Sequence, residues 1–84
     1  MLLKRQARMQ YFVWYDDNPN LTLADKIHAA VAAYVARFSA NPNLVLVNVA
    51  HHVVMPNVTV RSVRTVPPNT FWVGVEVGAE PQTV

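Results

Sequence analysis

One stretch constrains this chain more than any other: Thr22 to Phe38, TLADKIHAAVAAYVARF. It is the only segment that reads as a helix long enough to cover a sheet. Thr22 is a good N-cap, and Asp25 three residues on makes a near-match to a capping box with Asp in place of Glu. Asp25 in the first turn and Arg37 in the last both suit the helix dipole. At about 100° per residue, Leu23, Ile27, Val31, Tyr34, Val35 and Phe38 share one side, which is expected to face a core. Pro42 ends the helix by pushing Asn41 out of the helical region. On the other side Ala29, Ala32, Ala33 and Ala36 fall together. They serve as strong helix formers, or they make a smooth surface for close packing against a second helix.

Everything else of regular pattern reads as strand. Met9 to Tyr15, MQYFVWY, is aromatic and β-branched, with Tyr11, Val13 and Tyr15 on one face and Phe12 and Trp14 on the other. Leu44 to Val49 is apolar on both faces except at Asn48, as in a strand covered on both sides. Val58 to Val66 is more polar, and Thr70 to Val77 alternates Phe71, Val73, Val75 and Val77 against Trp72, Gly74 and Glu76. The spacing of the first strand, the helix and the second strand predicts a right-handed βαβ unit with parallel strands. The last two strands, joined through Pro67-Pro68-Asn69, predict an antiparallel hairpin. Pro-Asn stands just before an element at Pro19-Asn20, Pro42-Asn43, Pro56-Asn57 and Pro68-Asn69, at irregular spacing, as punctuation rather than as a repeat. The expected fold is a small two-layer α/β (α+β) domain in the order β-α-β-β-β, one helix on a four-stranded mixed sheet. Residues 9–77 form its core, 1–8 a basic tail and 78–84 a loose tail.

The chain has 84 residues, enough for one small domain, which buries only about 60–65% of its unfolded surface. It is 52% hydrophobic but only 14% charged, against about 25% charged in typical soluble domains. A small domain has the most surface per residue, so this deficit points to surface covered by something else. One helix covers one face of the sheet; the other would present Phe12 or Tyr11, Trp14 or Tyr15, and Trp72 or Phe71. Each ring left in water forfeits roughly 1.5–3 kcal/mol, and together they exceed the patch a monomer usually exposes. The remedy expected is a homo-oligomer, a dimer first, with Phe12, Trp14, Trp72 and the alanines at positions 29, 32, 33 and 36 as interface candidates. The alternative is a monomer whose linker, with Val53, Val54 and Met55, folds over the open face.

The function expected is binding or assembly rather than catalysis, with two other classes weighed. Lys4, Arg5, Arg8, Arg61 and Arg64 would form a basic stripe for nucleic acid with exposed aromatics for stacking, although Arg61 and Arg64, three apart on a strand, face opposite ways. Their plainer role is to guard an edge strand by charge. A metal-dependent hydrolase or nuclease would draw on Asp16-Asp17, closing the first strand, and His51-His52, just beyond the second. Parallel strands bring those ends to one edge, where carboxylates and imidazoles hold Zn²⁺ or Mn²⁺ or act as acid and base. No defined ligand spacing supports it, and Asp and Asn are the ordinary residues of such turns. No cofactor is expected: there is no P-loop or nucleophile motif, and Gly74 and Gly78 alone make no phosphate cradle. The absence of cysteine, of a signal-type segment and of any run of about 20 apolar residues favours a cytoplasmic protein with no membrane partner.

Overall fold

The structure is a computed structural model that describes residues 10–76. Its elements run β1 (Phe12–Tyr15), α1 (Leu23–Phe38), β2 (Leu44–Val47), β3 (Thr59–Ser62) and β4 (Thr70–Gly74). This is the expected small α+β domain: one helix and a four-stranded mixed sheet in the order β-α-β-β-β. β2 and β3 are shorter than the segments read for them, because Asn48 and Val63 open turns: the His51 N–H donates to the Asn48 carbonyl at 2.9 Å and the Val66 N–H to the Val63 carbonyl at 3.2 Å. Met9, Val77 and both tails lie outside the described residues.

The helix begins as its sequence dictates. Thr22 Oγ1 accepts from the Asp25 N–H at 3.0 Å, and Asp25 Oδ2 accepts from the Thr22 N–H at 3.2 Å, so both arms of the capping box form. Such a cap contributes about 1 kcal/mol by satisfying amides the first turn leaves free. At the far end Ser39 turns left-handed, at φ 54°, and its N–H closes the last turn on the Val35 carbonyl at 2.8 Å.

The sheet order is β1-β4-β2-β3. β1 and β2 are parallel as expected, but β4 lies between them, antiparallel to both. The expected β3–β4 hairpin is therefore not formed. β3 pairs with β2, in parallel, at the far edge. The reason lies in the seven residues between Ser62 and Thr70. They contain Val66, which is fully buried on the face away from the helix with Leu44, Leu46, Val63, Tyr11 and Trp72. A tight hairpin would leave that valine in water. Asn48, the polar residue in an apolar strand, holds the segment in place: its side-chain amide donates to the Val66 carbonyl at 2.9 Å while its Oδ1 accepts from the Ala50 N–H.

The helix-side core gathers Ile27, Ala30, Val45, Val47, Phe71, Val73 and Met55, with Phe12, Trp14, Leu23, Val31 and Tyr34 packed around it. Two departures from the helical wheel follow. Ala30 is fully buried at the centre, where a small residue lets the helix approach β4, whereas Val35 and Phe38 are 36% and 49% exposed. The linker does fold back, but onto the helix side: Met55 is buried there and Val53 half-buried, while Val54 stays 86% exposed. Each face thus has its own cover, the helix and linker on one, the Val63–Val66 turn on the other.

The Pro-Asn pairs divide by role. Asn57 and Asn69 adopt positive φ, 74° and 60°, a left-handed conformation that Asn tolerates behind a proline in a turn. Asn43 instead extends the sheet: its Oδ1 accepts from the Glu76 N–H at 2.7 Å and its Nδ2 donates to the Glu76 carbonyl at 3.1 Å.

Candidate functional site

β1 is the strand on which sequence and structure leave most undone. Among the described residues it is an edge strand, paired only with β4. Phe12 and Trp14 turn toward the helix and are half-buried; Val13 and Tyr15 turn away and are 57% and 61% exposed. No charge, proline or bulge interrupts it. The opposite edge, β3, is protected differently: Arg61 makes a forked contact with Glu76, at 3.1 and 3.3 Å, and carries charge along that edge.

At the start of β1 an aromatic cluster spills past the core. The rings of Tyr34 and Phe38 have centroids 4.7 Å apart, Phe12 stands edge-on to both at 6.2 and 6.0 Å, and Trp14 stacks on Phe12 at 6.2 Å. The Arg37 guanidinium lies 5.7 Å from the Phe38 ring centre, within cation–π range. Gln10, Tyr11, Phe12, Tyr34 and Phe38 line an open cleft of about 460 Å³. On the other face Tyr11 lies over Gly74 and tilts against Trp72 at 5.6 Å. Only glycine admits the ring so closely: a Cβ at position 74 would stand 3.0 Å from Tyr11 Cδ1.

The interface candidates separate by exposure. Trp72 is half-buried under the Val63–Val66 turn, so that face is less open than its rings suggested. Ala32 and Ala36 are exposed on the helix and Ala29 and Ala33 half-buried.

The Asp and His pairs do lie beyond the parallel ends of β1 and β2, with the start of β4 between them. Their side chains are engaged locally. Asp16 Oδ1 accepts from the Asn18 N–H at 3.0 Å, and Asn18 Oδ1 from the Asn20 N–H at 2.9 Å, two successive turns that deliver the chain to the helix. Asp17 Oδ2 accepts from the Tyr15 hydroxyl at 3.1 Å. That bond, with the carboxylate's charge, holds the Tyr15 pKa above the ordinary phenol value. His51 is half-buried, its carbonyl accepting from Ser62 Oγ, and its Nε2 is buried with no hydrogen-bond partner among the described residues. His52 is exposed. Among the described residues no three His, Cys, Asp or Glu side chains gather as a metal site would require.

Of the basic residues weighed for nucleic acid, Arg61 is engaged with Glu76 and Arg64 sits exposed in the turn after β3. Lys4, Arg5 and Arg8 lie outside the described residues. Among the described residues no helix is long and apolar enough to cross a membrane. Compared with protein-family models, with curated proteins and with solved structures, the chain matches none of them.

Proposed function

We propose that this domain is a self-associating assembly module whose contact runs along the free edge of β1. The observation that carries the reading is the difference between the two edges of one sheet. β3 carries one charged side chain, Arg61, which pairs with Glu76. β1 has four apolar or aromatic residues, two of them more than half exposed, with no charge or proline among them. Natural sheets protect such edges unless pairing is their use. The low charge of the whole chain supports the same reading, since part of its surface is then covered in the assembled state.

Sedimentation velocity at micromolar concentration tests it. The chain is expected to sediment above the 9.4 kDa of one copy, and Val13→Lys, at an exposed position, is expected to return it to one copy with its circular dichroism unchanged. A wild-type chain that sediments as a single copy up to tens of micromolar would end the proposal.

A further inference from the structure

We infer that the strand received by β1 is β1 of a second copy, antiparallel and centred on Val13. This rests on the self-association proposed above and adds to it the partner strand and the register.

The backbone decides which groups are on offer. The Asp16 N–H donates to the Asn69 carbonyl at 2.9 Å, and these two residues stand directly opposite in the register that pairs Tyr15 with Thr70. In an antiparallel ladder, bonded and non-bonded pairs alternate. Trp14 and Phe12 therefore direct their amides and carbonyls to β4. Val13 and Tyr15, and Tyr11 before them, direct theirs to the free edge. A second strand must bring outward-facing residues of the same kind, so only registers that match odd positions with odd positions form the ladder.

The side chains choose among those registers. Tyr11-Phe12-Val13-Trp14-Tyr15 reads aromatic, aromatic, valine, aromatic, aromatic, in either direction. With Val13 opposite Val13 of the second copy, Tyr11 meets Tyr15 on one face and Phe12 meets Trp14 on the other. All five residues find an apolar neighbour, and Asp16 falls outside the seam opposite Gln10. Centring on Phe12 sets Gln10 against Trp14, centring on Trp14 sets Phe12 against Asp16, and centring on Tyr15 sets Val13 against Asp17 while bringing the two acidic turns together. Each of these puts a polar or charged residue opposite an apolar one, which the Val13-centred register avoids.

The consequence for the cleft is direct. Phe12 forms part of its wall, and in this register the residue facing Phe12 across the seam is Trp14 of the second copy. The cleft is completed by the partner's indole, and the two sheets become one of eight strands with both helices on the same side.

The chain has no cysteine, so single-cysteine variants report the register cleanly. Val13 and Tyr15 are both exposed, and a cysteine at either leaves the core intact. Across a bonded antiparallel pair the Cα atoms stand about 5.5 Å apart, within disulfide reach. Two copies of residue 15 would stand four residues apart along the seam, about 14 Å, and beyond it. Under mild oxidation Val13→Cys is expected to run at twice the single-chain mass, and Tyr15→Cys to remain single. Cross-linking through position 15 and not through 13, in a protein that sediments as a dimer, overturns the register and leaves self-association standing. Cross-linking through neither, again in a dimer, overturns the register centred on Val13 and leaves self-association standing. A monomeric wild type removes both proposals together.

Discussion

Val66 offers the sharpest test of how the sheet keeps its second face dry. It is fully buried, its backbone carbonyl is held by Asn48, and it packs with Leu44, Leu46 and Trp72 away from the helix. Val66→Ala deletes two methyl-sized groups, at about 0.8 kcal/mol each, or roughly 1.6 kcal/mol of lost transfer energy. A cavity that fails to collapse adds up to about 1 kcal/mol. The turn around Val66 relaxes more easily than a core strand, so the expected loss is about 1.5–2.5 kcal/mol. Small domains hold only about 5–10 kcal/mol in total, and each kcal/mol moves the melting temperature of a domain this size by about 4–8 °C. The loss is therefore readable as a fall in urea midpoint at unchanged slope. A second readout locates it. With Trp14→Phe as background, Trp72 is the remaining tryptophan, and its emission should shift to the red as water reaches the indole. A midpoint within about 0.5 kcal/mol of the parent, the usual range for surface changes, with unshifted emission, would refute the claim that this turn shelters the face.

Two further outcomes follow from contacts already described. Gly74→Ala places a Cβ 3.0 Å from Tyr11 Cδ1 and 3.2 Å from the Gln10 carbonyl, which is backbone and yields little; overpacking of about 1–3 kcal/mol outweighs the roughly 0.4–1 kcal/mol that alanine gains by stiffening the unfolded chain, so a urea midpoint equal to or above the parent's would refute the close approach. For Tyr15, the raised pKa means that the bond to Asp17 contributes at neutral pH and up to the ordinary phenol range, and is lost as pH climbs through the higher folded value. Asp17→Asn should bring Tyr15 ionisation back to lower pH, followed by the NMR shift of its ring carbons, and an unmoved midpoint would refute the contact.

The elements were legible because their signals are local. The Thr22–Asp25 cap, the helical period and the β-branched runs each act within a few residues; the cap forms as read, and each strand forms within the segment read for it, though shorter. Strand order was not legible. A period of two tells which side chains share a face, but not which strand lies alongside, and the Pro-rich turn before Thr70 looked like a hairpin when its function is to carry Val66 under the sheet. Asn48 was the missed signal: a lone amide in an otherwise apolar strand marks a fixed partner, here the Val66 carbonyl. Phe38 misled for a related reason. It keeps the helical period, but the period does not say how deeply a side chain is buried. At the candidate site, the apolar character of β1 was visible, whereas its position at an edge came only with the insertion of β4. The turn chemistry of Asp16 and Asn18 was readable from residue type alone; the buried Nε2 of His51 had no counterpart in sequence.

The place of β4 also sets the order in which the domain is completed. Among the described residues β4 is the last strand and the keystone of the sheet: β1 has no other neighbour there, and β2 has only β3 until Thr70–Gly74 arrives. During synthesis β1 therefore stays without its β4 partner until Thr70–Gly74 has emerged. Pairing strands so far apart in sequence is slower than forming the helix between them. Until then Phe12–Tyr15 lacks the strand that later fixes its register, and the aromatic ribbon is the part of the sheet that matures last.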